Sequence, residues 1–294
     1  MQKSELKKQL EQSSRIAKKL EEKLKDEFED YLDDPTEKNA KKYKDAEAVL
    51  LAWWLKETYS NIVDGINQNI ANGKSVAVSQ LRGKGFSKQD DNKDLYSSLA
   101  SIMKENLRAD LIKIADGIRS NSRKTMLDVT EMLISQKKTM SAGFYKTFQK
   151  YGIGYFTDRR GARWTLARYV DMATTTILMN ANRQAFFIKS LEWGNDLVKV
   201  RHLGLTPSCE LCEPFEDKVL SISGKTKGYM SVAEASSSGH LFSYNCDHIP
   251  DELELAPDRE DGDNKIALNE KNLKYLAKGG YKNIKKRSFF EKSV

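Results

Sequence analysis

The chain has 294 residues, 39% of them hydrophobic and 31% charged, with 49 Lys and Arg against 42 Asp and Glu for a net charge of +7. That length accommodates two compact domains or one large one, with a real hydrophobic core. Three cysteines are too few, and an odd number, for a disulfide-stapled secreted scaffold.

No apolar run approaches the roughly 20 residues that cross a bilayer, so no membrane anchor is expected. Residues 1–32 include basic residues but no apolar core of signal-peptide type, and no export signal is expected there. The mild positive excess tilts the expectation toward an acidic partner, double-stranded DNA among them, without requiring one.

Leu6, Leu10, Ala17, Leu20, Leu24, Phe28 and Tyr31 recur at three-to-four spacing, which predicts an amphipathic helix. Its other face mixes Lys and Glu, including Glu21 and Lys25 one turn apart, and reads as solvated. The apolar stripe needs a partner, either the next helix of the same chain or the same helix of another copy in a homo-oligomer. Asp33-Asp34-Pro35-Thr36 breaks the pattern, and Pro35 suits the first turn of a second helix running from about Thr36 to Ile70. In that helix Trp53 and Trp54 fall among Val49, Leu50, Ile62, Val63 and Ile66, and read as helix packing rather than as a base-stacking platform.

From Asn72 to Asp94 the periodicity lapses, and Gly73, Gly83 and Gly85 with several Lys and Arg predict a short extended piece followed by a basic loop. The spacing is not that of a P-loop or a dinucleotide fingerprint. Helical spacing returns from Asp94 to about Gln136, with a joint expected at Ser120-Asn121-Ser122.

A change of architecture follows. Gly152, Gly154 and Gly161 punctuate an aromatic, basic stretch, a helix is predicted over 163–193 and ends at Gly194-Asn195, and a strand follows over 197–201. Arg159, Arg160, Arg163 and Arg168 form a positive cluster, readable as phosphate contacts, as solvated or internally paired arginines, or as a protein-binding patch. After Pro250 come seven acidic residues through Asp263, then eight Lys or Arg and one Glu from Lys271 to Val294. This reads as a charged tail in which Lys282, Lys285, Lys286 and Arg287 are candidate phosphate contacts. The expected architecture is a mainly α N-terminal region for docking or oligomerisation (1–150), a smaller α+β module stapled by zinc (151–250) and a charged extension (251–294).

All three cysteines and all three histidines fall between 202 and 248. Cys209 and Cys212 form a Cys-x-x-Cys pair, and Cys246 and His248 follow as Cys-Asp-His. Three thiolates and an imidazole make a tetrahedral site for Zn2+, and thiolates are soft enough to select zinc over magnesium or calcium. Four protein ligands leave no position for water, so such an ion would staple the fold. His202 and His240 are alternative ligands or hydrogen-bonding supports. A metal-free reading also stands, with the cysteines as small core residues or a reduced dithiol. In a catalytic reading His202, Glu210, Glu213, His240, Asp247 and His248 would gather around a metal-bound water, as in a metal-dependent nuclease.

The run from Gly154 to Gly204 and its continuation, covering about residues 150–250, resemble the phage minor capsid protein 2 family, related in style to the Mu F-like head-morphogenesis proteins. The resembling elements are the segment from Gly161 to Val170 before a long helix, Gly194 to Val198, His202, Pro207, Lys218 to Gly224, and Asn245 to His248. The chain departs from the family at Thr175-Thr176, where Arg-Thr is common, and at Glu216-Asp217, where Gln-Gly is common. The resemblance implies a non-enzymatic minor component of a tailed-phage head, in the virion head or procapsid interior and in the host cytoplasm during assembly. It implies partners among portal protein, major capsid protein and scaffolding protein, with a role in head assembly or in genome packaging and delivery. The contrasting reading is a nucleic-acid-processing enzyme packaged near the genome.

Overall fold

The computed structural model describes residues 3–86, 92–134, 156–157, 163–204, 209–239, 241–243, 246, 248–254, 266 and 271–272. The architecture is mainly helical, with a small antiparallel three-stranded sheet. Three long helices come first, α1 (Lys3–Asp33), α2 (Glu37–Gly83) and α3 (Lys93–Ile134). A two-residue antiparallel pair, β1 (Phe156–Thr157) and β2 (Arg163–Trp164), precedes α4 (Leu166–Glu192). Then come β3 (Leu197–His202), a 3-10 turn (Glu213–Phe215), β4 (Val219–Ser221), α5 (Val232–Gly239) and β5 (His248–Glu254). The chain divides into two compact units whose segments alternate in sequence. A helical unit comprises Gln2–Gly65 with Lys104–Thr174, and a mixed unit comprises Ile66–Met103 with Thr175–Val294.

In the helical unit the stripe predicted for α1 is the buried one: Leu6, Ala17, Leu20, Leu24, Phe28 and Tyr31 are each 3% exposed or less. Its partner is α2 of the same chain. The rings of Phe28 and Tyr43 meet edge-on at 5.2 Å, and Asn61 Nδ2 donates to Ser13 Oγ at 2.8 Å. Thr36 caps α2 by accepting the Asn39 N–H, so Pro35 stands just before the cap rather than inside the first turn. Trp54 is fully buried, in keeping with a packing role. The joint expected at Ser120-Asn121-Ser122 does not form. Helix α3 runs straight through it, because Ser122 is buried and its hydroxyl lies 3.2 Å from Tyr43 Oη.

Glu47, also buried, accepts from Tyr43 Oη at 3.4 Å. Burial pushes its carboxyl above the usual range, although hydrogen bonds from Ser122 and Tyr43 and the charges of Arg119 and Arg123 work against that. Glu21 reaches the start of α4, where its Oε1 accepts the Ala167 N–H at 3.3 Å, a carboxylate placed at the positive end of a helix.

In the mixed unit, α2 corrects the sequence reading. The stretch expected to be extended from Asn72 is helix to Gly83, with Ala77 and Leu81 fully buried. Gly73 is a contact residue rather than a breaker, since a Cβ there would run into the backbone carbonyl of Asn182 in α4. Nearby, Asn182 Nδ2 donates to the Asn69 carbonyl at 3.2 Å. Helix α4 starts at Leu166 rather than 163, because Arg163 and Trp164 pair with Thr157 and Phe156 and Thr165 caps the helix through the Arg168 N–H. It ends as expected, with Gly194 at φ 79° and the bonds Asn195 N–H to Ser190 O and Gly194 N–H to Leu191 O that define a Schellman stop.

Strand β3 is central, in the order β4-β3-β5. Its Leu197, Val198 and Val200 are buried, as expected of a strand covered on both sides. Strand β5 continues through Pro250 to Glu254, so the first residues of the acidic stretch are sheet rather than tail. Pairing slips between Lys199–Glu252 and Val200–Pro250. A proline, which has no N–H to give, is tolerated at such a bulge on an edge strand. The core of this unit gathers Phe186, Phe187, Trp193, Phe215, Leu220 and Leu241 around Cys212 and Cys246, with Ile266 packed against it.

Two outcomes follow from these contacts. Gly73→Ala should lower stability by about 1–3 kcal/mol through overpacking, despite alanine's better helix propensity, whereas Gly83→Ala, which meets nothing within 4 Å, should be neutral or slightly stabilising; urea unfolding of the two variants checks this. An acid whose folded pKa is raised ionises first in the unfolded chain, so Glu47 costs stability increasingly as pH rises from about 4.3 through its folded value. Glu47→Gln should therefore gain on the wild type as pH rises above about 4.3 when unfolding midpoints are followed, and parallel pH profiles would contradict this.

Candidate metal centre

The Cys-x-x-Cys pair sits on a tight turn after β3. Cys212 N–H bonds to Cys209 O at 2.7 Å, and the 3-10 turn that follows buries Phe215. Buried Phe215 anchors the turn against the sheet, while Val200 and the Asp217-Lys218 backbone exchange hydrogen bonds at 2.8 and 2.9 Å. Asp217 takes φ 58°, a left-handed conformation that Asp tolerates better than most residues, at the place where the resembling family commonly has glycine.

The second ligand pair approaches from the other side of β3. His248 opens β5 opposite His202, with ring centroids 4.9 Å apart, and Cys246 lies just before it. Phe242, at φ 62°, points its N–H to Cys246 Sγ at 3.1 Å. A bulky residue in that region is strained, and the contact it secures is a hydrogen-bond donor for the Cys246 sulfur.

Ligand atoms of Cys212, Cys246 and His248 all lie within 4.8 Å of one another, and all three residues are buried. Cys209 is exposed, and its Sγ is 3.1 Å from Cys212 Sγ. His248 Nδ1 lies 3.4 Å from Cys246 Sγ and its Nε2 2.9 Å from Glu216 Oε1. The edge of a tetrahedron built on Zn–S bonds of about 2.3 Å is about 3.8 Å, so the cluster of Cys212, Cys246 and His248 is of the size that one small soft cation spans, while the Cys209 and Cys212 sulfurs stand closer together than that edge. A carboxylate behind a ligating imidazole is a common way of fixing its tautomer.

The electrostatics favour a cation at this point. A hydrogen bond from Cys212 holds the Cys209 thiol down at about 6 despite partial burial. The Cys212 thiol, more than His248 and Arg183, holds Cys246 well below the ordinary range against its burial. Cys212 itself is pushed up by its hydrogen bonds to the two neighbours and by burial. Burial disfavours the charged form of His248, but Cys246 and Glu216 outweigh it and raise the imidazole. Thiols whose pKa values are moved in opposite directions by their mutual contacts, beside an imidazole, are the donor chemistry that a divalent ion engages by displacing protons.

Of the sequence candidates, Cys212, Cys246 and His248 come together, and Cys209 stands exposed at the edge of the cluster, against Cys212. His202 stacks on His248 from the neighbouring strand and is not one of the three clustered buried ligands. Arg163 and Arg168 are exposed, and the Arg168 guanidinium lies over the Trp164 ring at 5.3 Å. His240, Arg159, Arg160, Lys282, Lys285, Lys286 and Arg287 lie outside the described residues.

Three contributors escaped the sequence reading. Glu216 supports His248. Asn272, fully buried, donates to Leu211 O at 2.9 Å and Ser238 O at 3.0 Å, tying the cysteine turn to α5. Arg183 is 1% exposed and bonds the backbone at Cys246 and His248. Only Arg183 left a trace, as a charge on the same stripe of α4 as Met179 and Phe187.

Comparison with known proteins adds one finding. A family model for phage minor capsid protein 2 matches residues 31–287, from the last turn of α1 through the whole mixed α and β region. No curated protein and no solved structure matches the chain significantly. With the match covering most of its length, the chain belongs to the phage minor capsid protein 2 family.

Proposed function

We propose that this protein is a minor structural component of a tailed-phage head, bound to portal, major capsid or scaffolding protein during assembly, and that Zn2+ on Cys209, Cys212, Cys246 and His248 staples its mixed unit. Family membership carries this reading, because it supports a structural role in the phage head and a place in the capsid. No helix among the described residues is long and apolar enough to cross a membrane.

The ligand chemistry supports the zinc part. Two buried thiols and one imidazole cluster in the mixed unit, with the Cys209 thiol beside Cys212, and an ion held by them would join segments far apart in sequence. A nuclease reading is less well supported. With Nε2 of His248 held by Glu216 and Nδ1 turned to the thiols, where it would ligate the ion, this imidazole has no nitrogen left to accept a proton from water. Contacts with DNA would fall to the basic residues of the C-terminal segment and the arginines near α4, and homo-oligomerisation would use surfaces other than the α1 stripe, which α2 already covers.

A single experiment joins the two halves. Heads assembled with wild-type protein should contain it together with zinc in equal amount. A Cys209→Ser/Cys212→Ser double variant should lose the metal, unfold its mixed unit on the order of 10 °C lower, and enter heads poorly. Elemental analysis and mass spectrometry of purified particles read the metal and the incorporation, and a thermal melt of the purified proteins reads the unfolding. Absence of the wild-type protein from heads would overturn the structural role, and zinc-free wild type would overturn the staple.

A further inference from the structure

The strongest unexplained feature of the mixed unit is a buried guanidinium. Arg183 projects from α4 and is 1% exposed. Its Nε donates to the His248 carbonyl at 2.8 Å, its Nη2 to the Cys246 carbonyl, and its Nη1 to Asn180 Oδ1 at 2.9 Å. The guanidinium also lies 5.0 Å from the centre of the Phe242 ring, and Phe242 is the residue whose N–H meets Cys246 Sγ. One side chain therefore touches the backbone of both members of the Cys-x-His pair and the ring behind the thiolate's hydrogen-bond donor.

An ordinary core position does not call for this arrangement. Burying a guanidinium is costly unless its donors are matched, and an apolar side chain at 183 would continue the stripe of Met179 and Phe187 with no such cost. The donors, moreover, are not spread over the nearest acceptors. Two adjacent N–H groups span carbonyls two residues apart, at a spacing that a planar fork fixes and that an ammonium, with both bonds leaving one nitrogen on a flexible stem, does not. Three thiolates and a neutral imidazole around a divalent ion leave a net charge of −1 in the core. Arg183 supplies one positive charge beside it, while Glu216, partly exposed, keeps contact with solvent.

We infer that Arg183 is the positioning residue of the metal centre: its fork sets the backbone of Cys246 and His248 so that thiol and imidazole face one ion, and its charge offsets that of the loaded site. This rests on the metal reading above, and it makes α4, which carries no ligand, a determinant of metal affinity. Asn180 is a supporting member, holding the free end of the fork.

The test uses full-length protein and zinc alone, with affinity measured by competition against a chromophoric chelator and ligand geometry by the thiolate-to-cobalt band of the Co2+ form. Arg183→Lys keeps the charge but loses the fork, and should weaken zinc by about 10–100-fold and alter the cobalt band. Asn180→Ala should weaken zinc less, in the same direction. Lys189→Met is the control. It removes a second buried cation of α4, paired with Glu192 at 3.0 Å, and should leave zinc affinity unchanged even if it lowers stability.

Wild-type affinity in Arg183→Lys to within about threefold, with an unchanged cobalt band, would overturn the inference while leaving the metal centre standing. An equal loss in Lys189→Met would overturn it too, by making the effect one of general stability. Wild type that binds no zinc would overturn both readings at once. Should Arg183→Lys lack wild-type helix content in saturating zinc, Asn180→Ala decides: weakened binding upholds the role and unchanged binding rejects it.

Discussion

Burying thiols and an imidazole among apolar side chains is the constraint on which the mixed unit depends. Cys212, Cys246 and His248 sit in a core made by Phe186, Phe187, Phe215 and Leu220, where an unmatched polar or charged group costs several kcal/mol. Each neighbour then has a reason for its place. Phe242 accepts a strained backbone and offers its N–H to Cys246, Glu216 meets His248, and Arg183 ties the carbonyls on either side of Asp247 to α4. Asn272 draws a distant segment into the same junction. The arrangement is dense in hydrogen bonds where a small sheet of three strands could not by itself supply a large core.

The helices frame this junction by close approach rather than by added chemistry. At Gly73 the backbone of α2 comes against that of α4, and no side chain would fit between. In the helical unit the same economy of space puts Tyr43, Glu47 and Ser122 into one buried polar cluster that joins α2 to α3. Such clusters fix which helix faces meet, since a shifted register would leave their polar atoms unmatched. A head protein must present a fixed surface to neighbours arranged by symmetry, and a frame built this way is suited to that task.

Much of this was legible in the sequence, for identifiable reasons. The α1 stripe from Leu6 to Tyr31, the end of α4 at Gly194 and the β3 strand all rest on local periodicity or on turn chemistry. The gathering of all cysteines and histidines between 202 and 248 pointed to the site because few residue types can serve as soft ligands. Readings failed where a local signal was overridden by a tertiary one. Gly73 resembles a helix breaker until α4 is placed against it, and Ser122 resembles a joint until Tyr43 is placed beside it. Pro250 and the acids after it resemble the start of a tail, although an edge strand at a bulge accepts them. Glu216 and Asn272 could not have been found, because their roles come from contacts across 32 and 61 residues of chain.

Family membership makes the chain a structural protein of the phage head, and the chemistry of the Cys212, Cys246 and His248 cluster supports the proposal that an ion holds its mixed unit. Zinc K-edge X-ray absorption on the purified full-length protein tests that account most directly. It predicts a closed four-ligand shell, with three sulfurs at about 2.3 Å and one nitrogen at about 2.0 Å. A shell of oxygen and nitrogen alone, or one that includes a water, would contradict it.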